Sequence, residues 1–292
     1  MGVERIVSLV PSVTESLFDL GAGHKVVGRT VYCAHPAPQV NVIPAVGGTK
    51  NPDIAHILAL KPDLVIANQE ENRPADVAAL QAAGVRVLVS FPRTVRQALD
   101  LLWELARWAG VEEDAAPRIA ALERLYEQTL AWAKQVPPVR VFCPIWRDPW
   151  MTFNAETYAH DLLATCGAAN IFAGRRRRYP LAADLGRIPP SADPRYAGRD
   201  TRYPRVTLDE MAALAPDLIL LPSEPYAFTE ADIAAFANYT QVPAVRDGRI
   251  LLVDGSLITW HGTRLGRALQ ELPALLHGWR QSPLPDAISR LS

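Results

Sequence analysis

The stretch Tyr32-Cys33-Ala34-His35-Pro36 sets a thiol and an imidazole two residues apart, and in extended backbone that spacing turns both side chains to one side. Thiolate and imidazole both ligate transition metals, so the pair reads as part of a metal site. A closed zinc site takes four ligands, and the obvious further donor is His261, beside Trp260. Either imidazole, His35 or His261, can equally hydrogen-bond the amides of a ligand. Glu70 and Glu71 in "NQEEN" are adjacent carboxylates of the kind that acid–base chemistry uses. No nucleophile motif accompanies them, and "GGTKNP" lacks the Gly-x-x-x-x-Gly-Lys spacing of a phosphate loop. They read as polar contacts to a ligand or as solvated charge, and the expectation is a binding protein without catalysis and without a catalytic cofactor.

Aromatic residues gather in the stretches between regular elements: Tyr32, Phe91, Trp146, Trp150, Tyr226, Phe228 and Trp260. Such side chains offer rigid apolar area with a polar tip and suit a binding platform. Trp103, Trp108 and Trp132 lie in helical pattern and read as packing. The run Arg175 to Arg178 falls in a Pro- and Gly-rich stretch. Four consecutive like charges ordinarily form a solvated loop, with a lid over an anionic ligand as the alternative.

The elements that must position these residues alternate. "RIVSLV", "KVVGRT", "DLVIA" and "VRVLVS" read as strands, with helical spacing in "SVTESLFDLGAG", "NPDIAHILALKP" and "RPADVAALQAAG" between them. Ser12 with Glu15 suggests a capping box, and Asn51 a cap with Pro52 at the first helical position. The pattern then repeats: "VRVFC", "DLILL" and "GRILLVD" are strands, and "AETYAHDLLATCGA", "TLDEMAALAP" and "TEADIAAFANY" are helices. "ALKPDLVIANQEE" is echoed by "ALAPDLILLPSEP". Strands apolar on both faces, separated by helices, indicate parallel sheets covered by helices. The expected class is α/β, with two lobes of related design over residues 1–93 and 137–292. Residues 94–136 hold only Gly110 and Pro117 as breakers and read as one long stiff helix, or two end to end. A ligand cleft is expected between the lobes, outside the carboxyl ends of the strands.

Bulk properties narrow the class. The chain has 292 residues, 49% hydrophobic and 21% charged, with formal net charge −1; this is globular composition without the field that nucleic acid or an anionic membrane would attract. No apolar run reaches the ~20 residues of a membrane span. Three scattered cysteines argue against a disulfide framework, and Cys143 and Cys166 read as small buried hydrophobes. The first residues show no leader pattern. An extracytoplasmic place is expected if the sequence given is trimmed, and a cytoplasmic one if its start is native.

"RIVSLVPSVTESLFDLGAG", "VGGTKNPDIAHILALKPDLVIA", "GVRVLVSFPRTV" and "ATCGAANIF" resemble the helical-backbone (class III) substrate-binding proteins of ABC importers, most of all the branch that binds cobalamin. Relatives in that family bind ferric siderophores or haem. The resemblance implies Rossmann-like lobes, an insertion at 173–202, a corrinoid ligand, a permease partner, a monomer and little domain motion. For a corrinoid, Tyr32, Trp146, Trp150, Tyr226 and Trp260 would cover the ring, and Cys33, His35, Glu71, Arg147 and His261 would give polar contacts. The cobalt is then a further possible metal for His35 or His261. An anionic siderophore would call on Arg29, Arg93, Arg147 and Arg264. Family members dock on the permease through a surface glutamate on each lobe. Pro74 stands where the first is expected, leaving Glu71 or Asp76, with Glu224 or Glu230 on the second lobe. A cytosolic metal-handling protein built on Cys33, His35 and His261 is the reading from another class.

Overall fold

The computed structural model describes residues 2–280. They fall into two compact units. Unit 1 takes residues up to Arg124 together with Trp260–Gly266; unit 2 takes Leu125–Thr259 together with residues from Arg267.

Unit 1 runs β1 (Ile6–Ser8), α1 (Pro11–Asp19), β2 (Val26–Arg29), α2 (Ile54–Ala59), β3 (Leu64–Asn68), α3 (Pro74–Ala82), β4 (Arg86–Ser90) and α4 (Val95–Ala109), and α5 (Glu112–Ala133) carries the chain into unit 2. Unit 2 continues with β5 (Val139–Phe142), α6 (Tyr158–Thr165), β6 (Ala168–Asn170), α7 (Leu181–Asp184), α8 (Leu208–Ala213), β7 (Leu218–Pro222), α9 (Glu230–Ile233), α10 (Pro243–Arg246), β8 (Ile250–Val253), α11 (Ser256–Thr259) and α12 (Leu265–His277). Each unit holds a four-stranded sheet with the same relative order, β2-β1-β3-β4 and β6-β5-β7-β8. Every pairing within them is parallel. The duplication read from the echo is therefore a duplication of topology.

The echo has a physical cause. Lys61 and Ala215, the residues before each Pro-Asp, both take a left-handed conformation (φ 48 and 43) that stops the helix. Asp63 Oδ2 then accepts the backbone N–H groups of Glu4 and Arg5 at 2.9 Å, leading into β1. Asp217 Oδ2 accepts that of Arg140 in β5 at 3.1 Å. Arg5 and Arg140 donate back to Leu60 O and Leu214 O, and Arg86 and Arg249 donate to the carbonyls of Asp63 and Asp217. Each clip locks three strands at their amino ends, leaving the carboxyl ends to loops.

The connector takes the second of its two expected forms, two helices end to end, because Gly110 at φ 64 ends α4. Other local expectations are corrected. Pro11 occupies the first turn of α1, so the cap falls on Val10, and Ser12 with Glu15 forms no capping box. The cap of α2 is Asp53, which accepts from His56 N, instead of Asn51. Strand β6 escaped the reading: "AAN" is three residues long and has little β preference.

Candidate functional site

In open α/β sheets, ligands meet the crevice at the carboxyl ends of the strands where the strand order reverses. In unit 1 that point lies between β1 and β3. Its centre is Asn68, the last residue of β3. The Asn68 side chain accepts from Glu70 N and Glu71 N and donates to Ser90 Oγ, which ties the "NQEEN" turn to β4. Asn72 extends the knot by accepting from Asn68 N and donating to Thr49 O. Glu71 is half-buried on this turn.

The Trp260–Gly266 segment packs in unit 1, against the expectation that Trp260 and His261 belong to the second lobe. It returns as a strap onto α1. Thr263 N donates to Ser16 Oγ and Thr263 Oγ1 to Asp19 Oδ2, and Arg264 grips Glu15 with two bonds of 2.8 and 2.6 Å. Gly262 makes the close approach possible: a Cβ there would stand 2.2 Å from Ser16 Oγ, and φ is 104. His261 is buried, with Asn68 Nδ2 donating to its Nε2 at 3.5 Å. The switch point of unit 1 is thus occupied by the chain's own imidazole. Burial pushes the His261 pKa down to about 4. The Trp260 ring meets His35 edge-on at 6.0 Å and lies under the Arg264 guanidinium at 4.6 Å.

Cys33 corrects the sharpest sequence expectation. Its thiol is buried, takes a hydrogen bond from Thr14 Oγ1 at 3.1 Å and lies 3.2 Å from Thr30 Oγ1. Burial raises its pKa. His35 and Tyr32 on the same loop are exposed, so the spacing of two does not turn Cys33 and His35 the same way; the turn at Thr30–Cys33 intervenes. Among the described residues no group of three or more His, Cys, Asp or Glu could hold a metal ion, so Cys33, His35 and His261 form no such site. Tyr32, 62% exposed, is the free aromatic of this rim.

In unit 2 the strand order reverses between β5 and β7. Trp146, after β5, is 45% exposed, and Tyr226, after β7, meets it edge-on at 5.6 Å. These two residues form an aromatic corner at the switch point. Beside it, Trp150 stacks on Phe228 at 5.8 Å and tilts against Phe236, packed against the core of the unit. Trp150 is half-buried like Tyr226, with the Arg147 guanidinium over its ring at 5.8 Å. Arg147 is bound to the buried carboxylate of Asp232, which raises its pKa. Asp232 also accepts from Thr229 N as the cap of α9.

The other singled-out residues divide similarly. Of the four arginines proposed for an anionic siderophore, Arg29 donates to Val40 O and Thr30 O, Arg147 is held by Asp232 and Arg264 by Glu15. Arg93 is exposed and lies over the Phe91 ring. Among the docking acids, Asp76 pairs with Arg73 at 3.1 Å and Glu224 accepts from Thr259 Oγ1 at 2.7 Å, against the backbone of Gly255. Glu230 is exposed at the start of α9. Asn68, Glu15 and Arg264 as a positioning set were missed. The sequence pattern offers Glu15 as half of a capping box, and no local pattern tells which unit a distant segment joins.

Comparison with known proteins adds to this geometry. Residues 6–257 match the model of the periplasmic binding protein family. The vitamin B12-binding protein of Salmonella typhimurium is 32% identical over 176 residues, which are 60% of this chain and 65% of the relative. The vitamin B12-binding protein of Vibrio cholerae is 31% identical over 180 residues, 61% of this chain and 64% of the relative. The match thus spans just under two thirds of these curated relatives. The solved vitamin B12-binding protein BtuF of Vibrio cholerae superposes with TM-score 0.76 at 21% identity, over 96% of this chain and 99% of that one. The heme-binding protein RhuT of Roseiflexus sp. RS-1 gives TM-score 0.75 at 22% identity, over 96% and 100%. These likenesses show the fold. No helix among the described residues is long and apolar enough to cross a membrane.

Proposed function

The chain belongs to the periplasmic binding protein family, and from that premise we propose that it is a non-catalytic, extracytoplasmic carrier of a corrinoid, cobalamin foremost, for an ABC permease. The observation that carries this reading is the aromatic corner of Trp146 and Tyr226 at the switch point of unit 2. A corrin is broad, flat and largely apolar, so an exposed Trp146 ring backed by the half-buried Tyr226 suits it. In unit 1, taken by itself, Tyr32 and His35 are exposed, with the His35 ring edge-on to Trp260. The B12-binding relatives at about 30% identity favour a corrinoid over other ligands. Glu230 is the acid best presented for a permease arginine. Haem is the second reading, favoured by the exposed imidazole of His35 beside a tryptophan.

The test is co-elution. The purified protein is mixed with hydroxocobalamin or with haemin and desalted, and the visible spectrum of the protein fraction is recorded. One equivalent of corrin chromophore with the protein is the expected result. Haem absorption alone selects the second reading, and colourless protein in both cases removes the two together.

A further inference from the structure

Residues 173–205 carry nine arginines and three aspartates, a formal +6 in a chain whose total is −1. Arg176 and Arg178 are exposed, while Arg175 and Arg177 are partly buried. The fully buried carboxylate of Asp184 accepts the backbone N–H groups of Arg178 at 2.7 Å and Arg205 at 2.8 Å, and pairs with the Arg175 guanidinium at 3.4 Å. Tyr179 and Tyr196 stack at 5.7 Å, Arg177 and Arg199 lie over the Tyr179 ring, and Tyr179 Oη donates to Asp200 O. One buried acid and one aromatic stack hold the whole segment in a fixed form.

Six of the nine arginines sort into two groups. Arg175, Arg176, Arg195 and Arg202 pair with Asp184, Glu156, Asp193 and Asp200. Arg177 and Arg205 make no such pair among the described residues, although the Nε of each is enclosed and has no acceptor. Burial, with the charge of Arg177 adding to it, lowers the Arg205 pKa. A cationic N–H enclosed without an acceptor is costly, and the group that satisfies a guanidinium through its Nε/Nη fork is an oxyanion.

The position is equally specific. Arg205 bridges Met151 in antiparallel fashion, and Met151 bridges Trp146 in turn. Thr152 N donates to Pro204 O and Val206 N to Trp150 O, so the segment is laced to the loop that carries the aromatic corner.

We propose that residues 173–205 form an anion-recognition arm, in which Arg177 and Arg205 hold one oxyanion of the ligand seated on Trp146 and Tyr226. The placement of that oxyanion on a ligand rests on the function proposed above; the oxyanion site itself does not. Two sources share the chemistry: the phosphodiester of a cobalamin nucleotide loop and a haem propionate.

The experiment has two stages. Inorganic phosphate is first titrated against the whole protein at constant ionic strength, with melting temperature as the readout. A saturable rise is expected, lost in Arg177→Gln/Arg205→Gln and kept in Arg176→Gln, whose side chain is exposed. Hydroxocobalamin, dicyanocobinamide (which lacks the phosphodiester) and haemin are then compared on the same variants. A cobalamin affinity about tenfold above that of cobinamide, with the gap closed in the double variant, assigns the phosphodiester. A similar loss for haemin assigns the carboxylate. Saturable phosphate binding at these arginines with no corrin or haem bound upholds the oxyanion site and removes the ligand reading. The inference is overturned if wild-type protein shows no saturable phosphate effect, or if a ligand that binds does so equally well in the double variant. If the double variant does not fold, Arg177→Gln alone is read against the wild-type titration.

Discussion

At the scale of single residues, burial decides which of the chemically able side chains meet a ligand. Trp146 and Tyr226 are the pair that remains presented in unit 2, and the Trp146→Ala/Tyr226→Ala variant should lose about 2 kcal/mol of corrinoid affinity, roughly thirtyfold, by equilibrium titration. Trp150→Ala should also cost stability, because its ring packs on the buried Phe228 and Phe236. His261 supplies a pH prediction. Its folded pKa of about 4 lies below the ordinary 6.5, so between these values the unfolded chain binds a proton that the native one refuses. Its stabilising effect is complete above about pH 6.5 and is lost as pH falls toward 4, by up to about 3 kcal/mol. Burial lowers the pKa of His160 and His277 as well, so they add slope of the same sign. A melting-temperature profile over this range should be visibly flatter in His261→Gln, and an unchanged slope would place the proton elsewhere. The sequence displayed these residue types but not their exposure. Cys33 looked like a ligand and is enclosed by Thr14 and Thr30, because a spacing of two promises a shared side only while the backbone stays extended.

At the scale of elements, what was legible followed from periodicity and from Pro and Gly. The β-branched runs became strands, and the helix read in "TLDEMAALAP" forms, opened by a capping box of Thr207 with Glu210. The destination of Trp260–Gly266 was not legible, since only tertiary contacts carry a segment after β8 back to α1. That strap depends on Gly262. In Gly262→Ala the new methyl would meet Ser16 Oγ and the carbonyl of Ser12, at a φ that L residues rarely adopt. The expected cost is about 2–3 kcal/mol in a chemical denaturation curve. The Arg264 bonds to Glu15 should weaken with it, detected as faster amide exchange along α1. A neutral outcome would mean that the strap is not tied down as the hydrogen bonds of Thr263 imply.

At the scale of the whole molecule, the same topology built twice separates the task of holding the sheets from the task of binding. The Asp63 and Asp217 clips lie at the amino ends of their strands, and the aromatic corner, the "NQEEN" turn and the arginine arm follow the carboxyl ends. Asp217→Ala removes the acceptor for Arg140 N and the partner of Arg280, which should cost about 1–2 kcal/mol of stability. Asp63→Ala should also lower stability. The clips belong to different units and share no partner, so the two effects should add in the double variant. Ligand affinity, measured well below the melting temperature, should be the same in wild type, both single variants and the double. An affinity change that tracked the loss of stability would show that the carboxyl-end loops are positioned by the amino-end clips, and the division of labour read from the duplicated fold would fail.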